Sequence, residues 1–510
     1  MKKTLSRLFR APWYPIAISA YPVLALLSAN AGQVRLEAGM RPLLISVGLG
    51  ILIYVLLWLY FKRIYKAAFL ATLFLTLFFS YGHVLIFIEA RWAHLNAALW
   101  LPAVWLLLFL LSFFWASRPY LAFISSTPSL NVIALVLLIP SLWQIHFNRV
   151  PESDHRVAAD HAPIQENLSL PENPPDVYFI VLDSYGRSDL LYSAYGFDNR
   201  YFENELKRRG FYIASCSQSN YVRTELSIAS ALNMQYLQNL DDDFVPQNIR
   251  RAVLWDSLQH SAVRYNFESL GYETVNFASG YAWLELTDAD HFLTPPPLSS
   301  GMTEFEALFL RTTLARYIQD WGWVDPDYLL GVRERERFNY IFDNMDDIAR
   351  MPQHTFAYIH IISPHPPFVF DAQGNPTYPP DFWNEQRLYP PDLYQKGYVN
   401  QLQYLNTRLL QAVDVLLETS KTPPIIILLG DHGPWHQPRS KRLLNFTAVY
   451  FPEHSDTLYP TVTPVNLFRL VFNTYFGGKY DILKDVAYFS PVPNLYDFTK
   501  IENSCSLAEE

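Results

Sequence analysis

The sequence predicts an N-terminal α-helical transmembrane bundle of about five spans, followed by an α/β domain with a mostly parallel central sheet. Three observations carry this. Half of the 510 residues are apolar, and they are concentrated in the first third of the chain. After Asp176, short apolar runs alternate with amphipathic stretches, the pattern of βαβ units. Two of those runs, Val177–Leu182 and Ile425–Leu429, end abruptly at Asp183 and at Gly430-Asp431, as strands buried on both faces do.

Five stretches in the first third are apolar enough to cross a bilayer, which takes about 20 residues. They are Trp13–Asn30, Pro42–Phe61, Ala67–Ile88, Leu99–Ala116 and Leu130–Ile145. Basic residues set the expected orientation. Lys2, Lys3, Arg7 and Arg10 precede the first span, and Lys62, Arg63 and Lys66 separate the second from the third. Both groups belong on the cytoplasmic side, although Arg35, Arg41 and Arg91 dilute the contrast and Arg118 adds little. An odd number of spans starting inside makes this an integral, multi-pass protein of the cell (inner) membrane, with its C-terminal part extracytoplasmic or periplasmic. Ala29-Asn-Ala31 has the form of a signal-peptidase site; cleavage there would leave four spans and the same sidedness. No span carries the several ionisable residues of an ion pathway. His83 is a polar intruder suited to an interface or a lipid headgroup. The bundle reads as an anchor, or as a platform for a lipid substrate.

The expected organisation is a transmembrane domain over 1–147, a polar, Pro-rich linker over 148–175 and an outer catalytic domain over 176–510. A net charge of −9 with no basic stripe argues against nucleic acid as a partner. Further strands are expected at Phe211–Ala214, Thr274–Phe277, Thr355–Ile361 and Ala448–Tyr450. Helices are expected at Asn199–Arg209, Glu225–Met234, Glu334–Ile348 and Leu393–Glu418. Cys216 and Cys505 permit a disulfide joining the C-terminal tail to the domain body, or stand as two unpaired buried thiols.

In an open α/β sheet the chemistry collects just beyond the carboxyl ends of the strands. Asp183, Asp431 and His432 are therefore expected to converge on one cleft. Two carboxylates and an imidazole are a start on a divalent metal site. Between them, Asn220–Asn233 passes from polar loop into helix at Thr224, where backbone N–H groups and the helix dipole favour anions. A threonine hydroxyl becomes a useful nucleophile only when a metal or base helps remove its proton; the plain alternative is that Thr224 is an N-cap. Arg187 and Arg223 are candidate anion contacts, or ordinary salt-bridge arginines. Ser279–Glu285 and Lys396–Gln401 could shape the pocket or serve packing alone.

Asp183 after a strand, the hydroxyl of Thr224 downstream and the late Asp431-His432-Gly433, behind several N-terminal spans, resemble the alkaline phosphatase/sulfatase superfamily. The closer resemblance is to its membrane-bound branch, the lipoteichoic acid synthases and phosphoethanolamine transferases. It covers roughly residues 174–500 by motif order and the whole chain by architecture. It implies a sulfatase/alkaline-phosphatase-like domain in which Asp183, Thr224, Asp431 and His432 are metal ligands and Thr224 is also the nucleophile. His360–Phe368 resembles the family's histidine loop, which implies His365, with His360 beside it, as substrate contacts. His436 could serve a second metal or protonate a leaving group, or be a surface histidine. The ligand set implies one divalent metal, Mn or Zn, with a second as an option.

Departures from the family pattern narrow the activity. Thr224 stands outside any Cys/Ser-x-Pro/Ala-x-Arg sequence and cannot become formylglycine, which argues against a sulfuric ester hydrolase working by that route. The Gly-Lys-Thr-Ser nucleophile loop of lipoteichoic acid synthases is also absent. Ser227 is an alternative nucleophile, one helical turn further in and less exposed. The implied function is a membrane-anchored, metal-dependent transferase. It would move a phospho-alcohol headgroup, phosphoglycerol or phosphoethanolamine, from a membrane lipid donor to an envelope glycan or lipid acceptor through a covalent threonine intermediate. A phosphodiesterase, phosphatase or sulfuric ester hydrolase at the same site is the nearest alternative. A non-catalytic envelope scaffold is the alternative from another class, and the intact set Asp183, Thr224, Asp431 and His432 counts against it.

Overall fold

In lipid a backbone must satisfy its own hydrogen bonds, so the apolar first third can only coil into helices. In the computed structural model these are α1 (Tyr14–Ala29), α2 (Met40–Phe61), α3 (Ile64–Arg91), α4 (Ala97–Trp115) and α5 (Tyr120–Phe147). The structure describes residues 10–30, 34–92, 95–115, 120–147, 168–248, 250–296, 301–323, 326–377, 390–491, 494–502 and 505. Most of the linker, Ala31 of the signal-peptidase-like site and the basic residues Lys2, Lys3, Arg7 and Arg118 lie outside them.

By length and composition α2 to α5 can each cross a membrane, whereas α1 has 16 residues and is shorter. Helix α5 starts well before the apolar run expected at Leu130. Its added first turns contain Ser125, Ser126 and Thr127, whose hydroxyls donate back to the carbonyls of Ala122 and Phe123, which hides their polarity inside the helix. Asn131 of α5 caps the start of α1: its side-chain oxygen accepts from Tyr14 N–H at 3.2 Å and its amide donates to the Ala11 carbonyl at 2.8 Å. The chain divides into two compact units, Met1–Pro151 with Gly301–Leu330, and Glu152–Ser300 with Gly331–Glu510.

The second unit is built on a seven-stranded sheet. Its strands are β1 (Val177–Leu182), β2 (Tyr212–Ile213), β3 (Glu273–Phe277), β4 (His291–Leu293), β5 (Thr355–Ile361), β6 (Ile425–Gly430) and β7 (Thr447–Tyr450). They lie in the order β2-β7-β6-β1-β5-β3-β4. Pairing is parallel from β6 across to β4 and antiparallel at β6–β7 and β7–β2. β1 is therefore central, and every one of its six residues is buried. Successive side chains of a strand point to opposite faces. Val177, Phe179 and Val181 enter one core with α8 (Thr224–Asn233), α9 (Ala252–Gln259), α10 (Ala262–Ser269) and α16 (Pro464–Tyr475). Tyr178, Ile180 and Leu182 enter the other with α6 (Ser188–Tyr195), α7 (Arg200–Arg208), α13 (Pro326–Asp343), α14 (Met345–Ala349) and α15 (Pro391–Thr419).

Expected elements that differ do so for local reasons. The helix anticipated at Glu334–Ile348 begins earlier, at Pro326, and breaks at Asn344, whose side-chain amide donates to the Tyr340 carbonyl at 2.7 Å. β4 and the hairpin of β8 (Ala487–Phe489) with β9 (Thr499–Ile501) are three residues each, too short to show a period. Cys216 and Cys505 are joined in a disulfide with Cα atoms 5.6 Å apart.

A partly buried ion cluster supports α9 and α10. His260 meets Asp256 at 2.9 Å and Asp288 at 3.7 Å, and Arg264 meets Asp288 at 2.8 Å. Hydrogen bonds to Asp256 and Asp288 push the His260 imidazole up to about 9. Its folded value lies above the unfolded one of about 6.5. The stabilisation is thus complete below the unfolded value and disappears as pH rises through about 9. Thermal midpoints should fall with rising pH across that window in the wild type, and should be lower but flatter in His260→Gln.

Candidate metal centre and active site

Parallel pairing brings distant acids together. Leu182 is in register with Gly430 of β6 on one side and with Ile361 of β5 on the other, so Asp183 and Asp431 emerge side by side at the carboxyl edge. The turn after β1 is sharp. Ser184 adopts a left-handed φ of 66°, which costs a non-glycine residue about 1 kcal/mol or more. That turn aims the Ser184 N–H at Asp431 Oδ1, 2.8 Å away. Tyr398 of α15 holds it by donating to the Ser184 carbonyl at 2.8 Å and accepting from Gly186 N–H at 3.3 Å. Gly430 is required beside it: a Cβ there would lie 2.2 Å from the Tyr185 carbonyl oxygen.

Asp183, His360 and Asp431 are buried and offer ligand atoms that all lie within 4.8 Å of one another. Asp431 Oδ1 is taken by the Ser184 and His432 N–H groups, each at 2.8 Å, while its Oδ2 is buried with no hydrogen-bond partner. His360 Nε2 is likewise buried without a partner, 3.6 Å from Asp183 Oδ2. Its other nitrogen, Nδ1, bonds the Tyr358 hydroxyl at 3.1 Å. His432 repeats the arrangement: Nδ1 bonds the Gly433 carbonyl at 2.7 Å, and Nε2 faces Thr224 Oγ1 at 3.3 Å and Asp431 Oδ2 at 3.5 Å. Imidazoles whose far nitrogens are committed, beside bare carboxylate oxygens, are a donor set that fits a divalent cation.

The electrostatics agree with that fit. Burial opposes ionisation of Asp183, but the charges of the neighbouring His365, His360 and His432 outweigh it and hold the carboxyl well below the usual range. The Tyr358 hydroxyl is pushed up by burial and by the charges of Asp431 and Asp183, so it stays protonated.

The other candidate residues separate. Thr224 is the first residue of α8, after Arg223 in the N-cap position, and its hydroxyl is directed to His432; it is not the cap. Ser227 is fully buried and donates to the Asp431 carbonyl at 2.8 Å. His365 folds against the cluster through its N–H, which donates to the Asp183 carbonyl at 3.0 Å. Gln401 of α15 holds that loop, donating to the His365 carbonyl at 3.1 Å and accepting from Val369 N–H at 2.8 Å. His360, read from sequence as a substrate contact, lies among the metal-type donors because it falls on β5 itself, in register with Val181. Arg187 differs from an anion contact: its guanidinium is engaged by both oxygens of Asp189 and by the Ser217 carbonyl. His436 stacks on the Tyr394 ring at 5.0 Å. Trp283, in the Ser279–Glu285 stretch, packs on the core around α8.

Arg442 is a site neighbour that sequence reasoning missed. Its carbonyl accepts from Gly433 N–H at 2.6 Å, its Nη2 donates to the Val222 carbonyl at 3.1 Å, and its guanidinium lies 5.2 Å over the Trp435 ring. It thereby links the Thr224 loop to the Asp431-His432-Gly433 turn. Burial and the neighbouring Arg223 charge lower its pKa, and burial does the same to Arg223. Arg223 itself lies 4.0 Å from the Glu225 carboxylate. Arg442 lies in a single 3-10 turn, Lys441–Leu443, beside Arg439 and Lys441, and no periodicity or spacing singles it out from that basic run.

If Tyr358 orients His360 for a cation, Tyr358→Phe should weaken metal affinity about 10- to 100-fold while leaving the thermal midpoint of the metal-free protein near wild type. Competition titration against a chromophoric zinc chelator measures this.

No protein-family model matches the chain, and no curated protein matches it. Among solved structures, it is similar to the C-terminal periplasmic domain of EcEptC from Escherichia coli in complex with Zn, at 12% identity and a TM-score of 0.43, covering 66% of this chain and 96% of that one. It is also similar to the integral membrane lipooligosaccharide phosphoethanolamine transferase A from Neisseria meningitidis, at 12% identity and a TM-score of 0.39, covering 91% and 94%. A third similarity is to the lipoteichoic acid synthase LtaP from Listeria monocytogenes, at 12% identity and a TM-score of 0.36, covering 63% and 80%.

Proposed function

We propose that the protein is a membrane-anchored, metal-dependent transferase. It moves a phospho-alcohol headgroup, phosphoglycerol or phosphoethanolamine in type, from a lipid donor to an envelope glycan or lipid acceptor. The observation that carries this reading is the Thr224 hydroxyl, 3.3 Å from His432 Nε2 at the rim of the buried Asp183, His360 and Asp431 donors. The neighbouring hydroxyl of Ser227 is committed elsewhere.

A Zn or Mn ion held by Asp183, Asp431, His432 and His360, with Thr224 as a further ligand, would lower the threonine hydroxyl pKa and neutralise charge on phosphoryl oxygens. Zn and Mn both suit mixed carboxylate and imidazole donors. Arg223 and Arg442 orient the anionic phosphodiester. Thr224 Oγ attacks phosphorus in line, its proton leaving to solvent. The bond from phosphorus to the lipid glycerol oxygen breaks as the bond to Thr224 forms, and His365 protonates the departing oxygen. In the second half-reaction an acceptor hydroxyl gives its proton to His365 and attacks the same phosphorus. The bond to Thr224 breaks, and its oxygen regains a proton from solvent. Four helices long enough to span a bilayer suit a donor that resides in the membrane. With α1 counted as a fifth, shorter span, the positive-inside reading puts the N-terminus in the cytoplasm and this chemistry outside.

The test is intact mass of the full-length, zinc-loaded protein after brief exposure to phosphatidylethanolamine or phosphatidylglycerol and acid quench. A headgroup-phosphate adduct is expected on the wild type and not on Thr224→Ala, whose turnover should fall by about 10³-fold or more. Release of free headgroup phosphate with water as the only acceptor would turn the reading to a hydrolase. Neither adduct nor turnover in the zinc-loaded protein would overturn it.

A further inference from the structure

Gly301–Leu330 interrupts the sequence of the sheet domain between β4 and β5, yet it packs as part of the membrane unit. It begins with α11 (Glu304–Thr312), opened by a complete capping box between Thr303 and Glu306. The same Glu306 carboxylate is gripped by both arms of the Arg41 guanidinium at the start of α2, and Arg41 also donates to the Gly301 carbonyl at 2.9 Å. Phe305 is buried with Val23 and Leu27 of α1 and Ile145 of α5. Phe309 meets Phe79 with ring centres 5.9 Å apart.

The turn after α11 lies against α3 backbone to backbone. Leu314 N–H donates to the Phe78 carbonyl at 2.7 Å, and a Cβ on Gly82 would lie 2.0 Å from the Arg311 carbonyl oxygen, so only glycine permits the approach. α12 (Arg316–Asp320) follows, with Arg316 paired to Glu89 at 3.0 Å. Arg41 and Glu89 belong to the ends of α2 and α3 opposite the Lys62-Arg63 turn, and Gly82 lies nine residues inside that end of α3, so the segment is fastened along the half of the helix bundle away from that turn. Just beyond α12, the side chains of Trp321 and Trp323 are 63% and 77% exposed, with Tyr317 against the Trp321 ring at 5.4 Å. Indoles are enriched at membrane interfaces, where their apolar rings enter the headgroup layer and their N–H groups keep polar partners.

We propose that Gly301–Leu330 is a membrane-interface element whose Trp321 and Trp323 insert among phospholipid headgroups, at the Arg41 and Glu89 ends of α2 and α3. The occupant of this exposed aromatic face is the lipid surface, because the face continues directly from helices built to sit in lipid. The polypeptide of the sheet domain is then attached to the bilayer a second time, besides α5. None of this depends on the chemistry proposed for Thr224.

The test uses the full chain in vesicles of phosphatidylethanolamine and phosphatidylglycerol. Trp323→Cys is labelled with an environment-sensitive fluorophore, the native cysteines being joined to each other. Headgroup-level nitroxide lipid should quench the label and aqueous iodide should not. Quenching by iodide alone, or protection from both by a second copy or another protein surface, would overturn the proposal. Hydroxyl-radical footprinting of the unlabelled wild type in the same vesicles covers a misfolded variant. Protection of both indoles supports the proposal, and oxidation at the rate of free tryptophan refutes it.

Discussion

Two backbone N–H groups grip one oxygen of Asp431, and the rest of the candidate centre depends on that grip. Ser184 and His432 each donate to Oδ1 at 2.8 Å, which fixes the carboxylate plane and leaves Oδ2 bare inside the protein. A buried acceptor without a partner costs about 1–3 kcal/mol, and His360 Nε2 carries a similar burden. Two such atoms close to Asp183 are donors that a bound cation would satisfy. The left-handed Ser184 turn adds to the cost, and it points that N–H at Asp431.

Around this core a second layer holds the donors still. Tyr358 bonds the far side of His360, the Gly433 carbonyl bonds the far side of His432, and Tyr398 and Gln401 on α15 hold the Ser184 turn and the His365 loop. These partners come from three different elements, so the centre draws on the folding of the whole sheet domain. Ser219 and Ser227 both donate to the Asp431 carbonyl, tying α8 and its Thr224 to the same turn. Thr224 Oγ1, directed to His432, is thereby separated from the hydroxyls that serve as braces.

The membrane unit is assembled by a different balance. Without a hydrophobic force between helices in lipid, close packing and polar contacts decide which surfaces meet. Gly50 abuts Ser19, where a Cβ would come within 2.7 Å of the Ser19 side chain, and Asn131 closes the start of α1. The Gly301–Leu330 segment uses the same devices, a glycine that admits a neighbouring backbone and ion pairs at the helix ends.

Much of this was legible in the sequence. The apolar runs determine α2 to α5 and the central strands, since both the length needed to cross lipid and the double burial of a parallel strand impose a composition on the chain. Val177–Leu182 and Ile425–Leu429 each run up to an acid at a strand end, so the convergence of Asp183 and Asp431 could be argued from connectivity alone. The membership of His360 could not, because it sits inside a fully buried strand where alternation is silent. Nor could the engagement of Arg187 by Asp189, the bridging position of Arg442 or the docking of Gly301–Leu330 on the helix bundle. Local sequence determines what a segment can become through its period and its polarity. Which donors meet, and which surface an amphipathic helix covers, is decided only by strand register and packing, which join residues hundreds of positions apart.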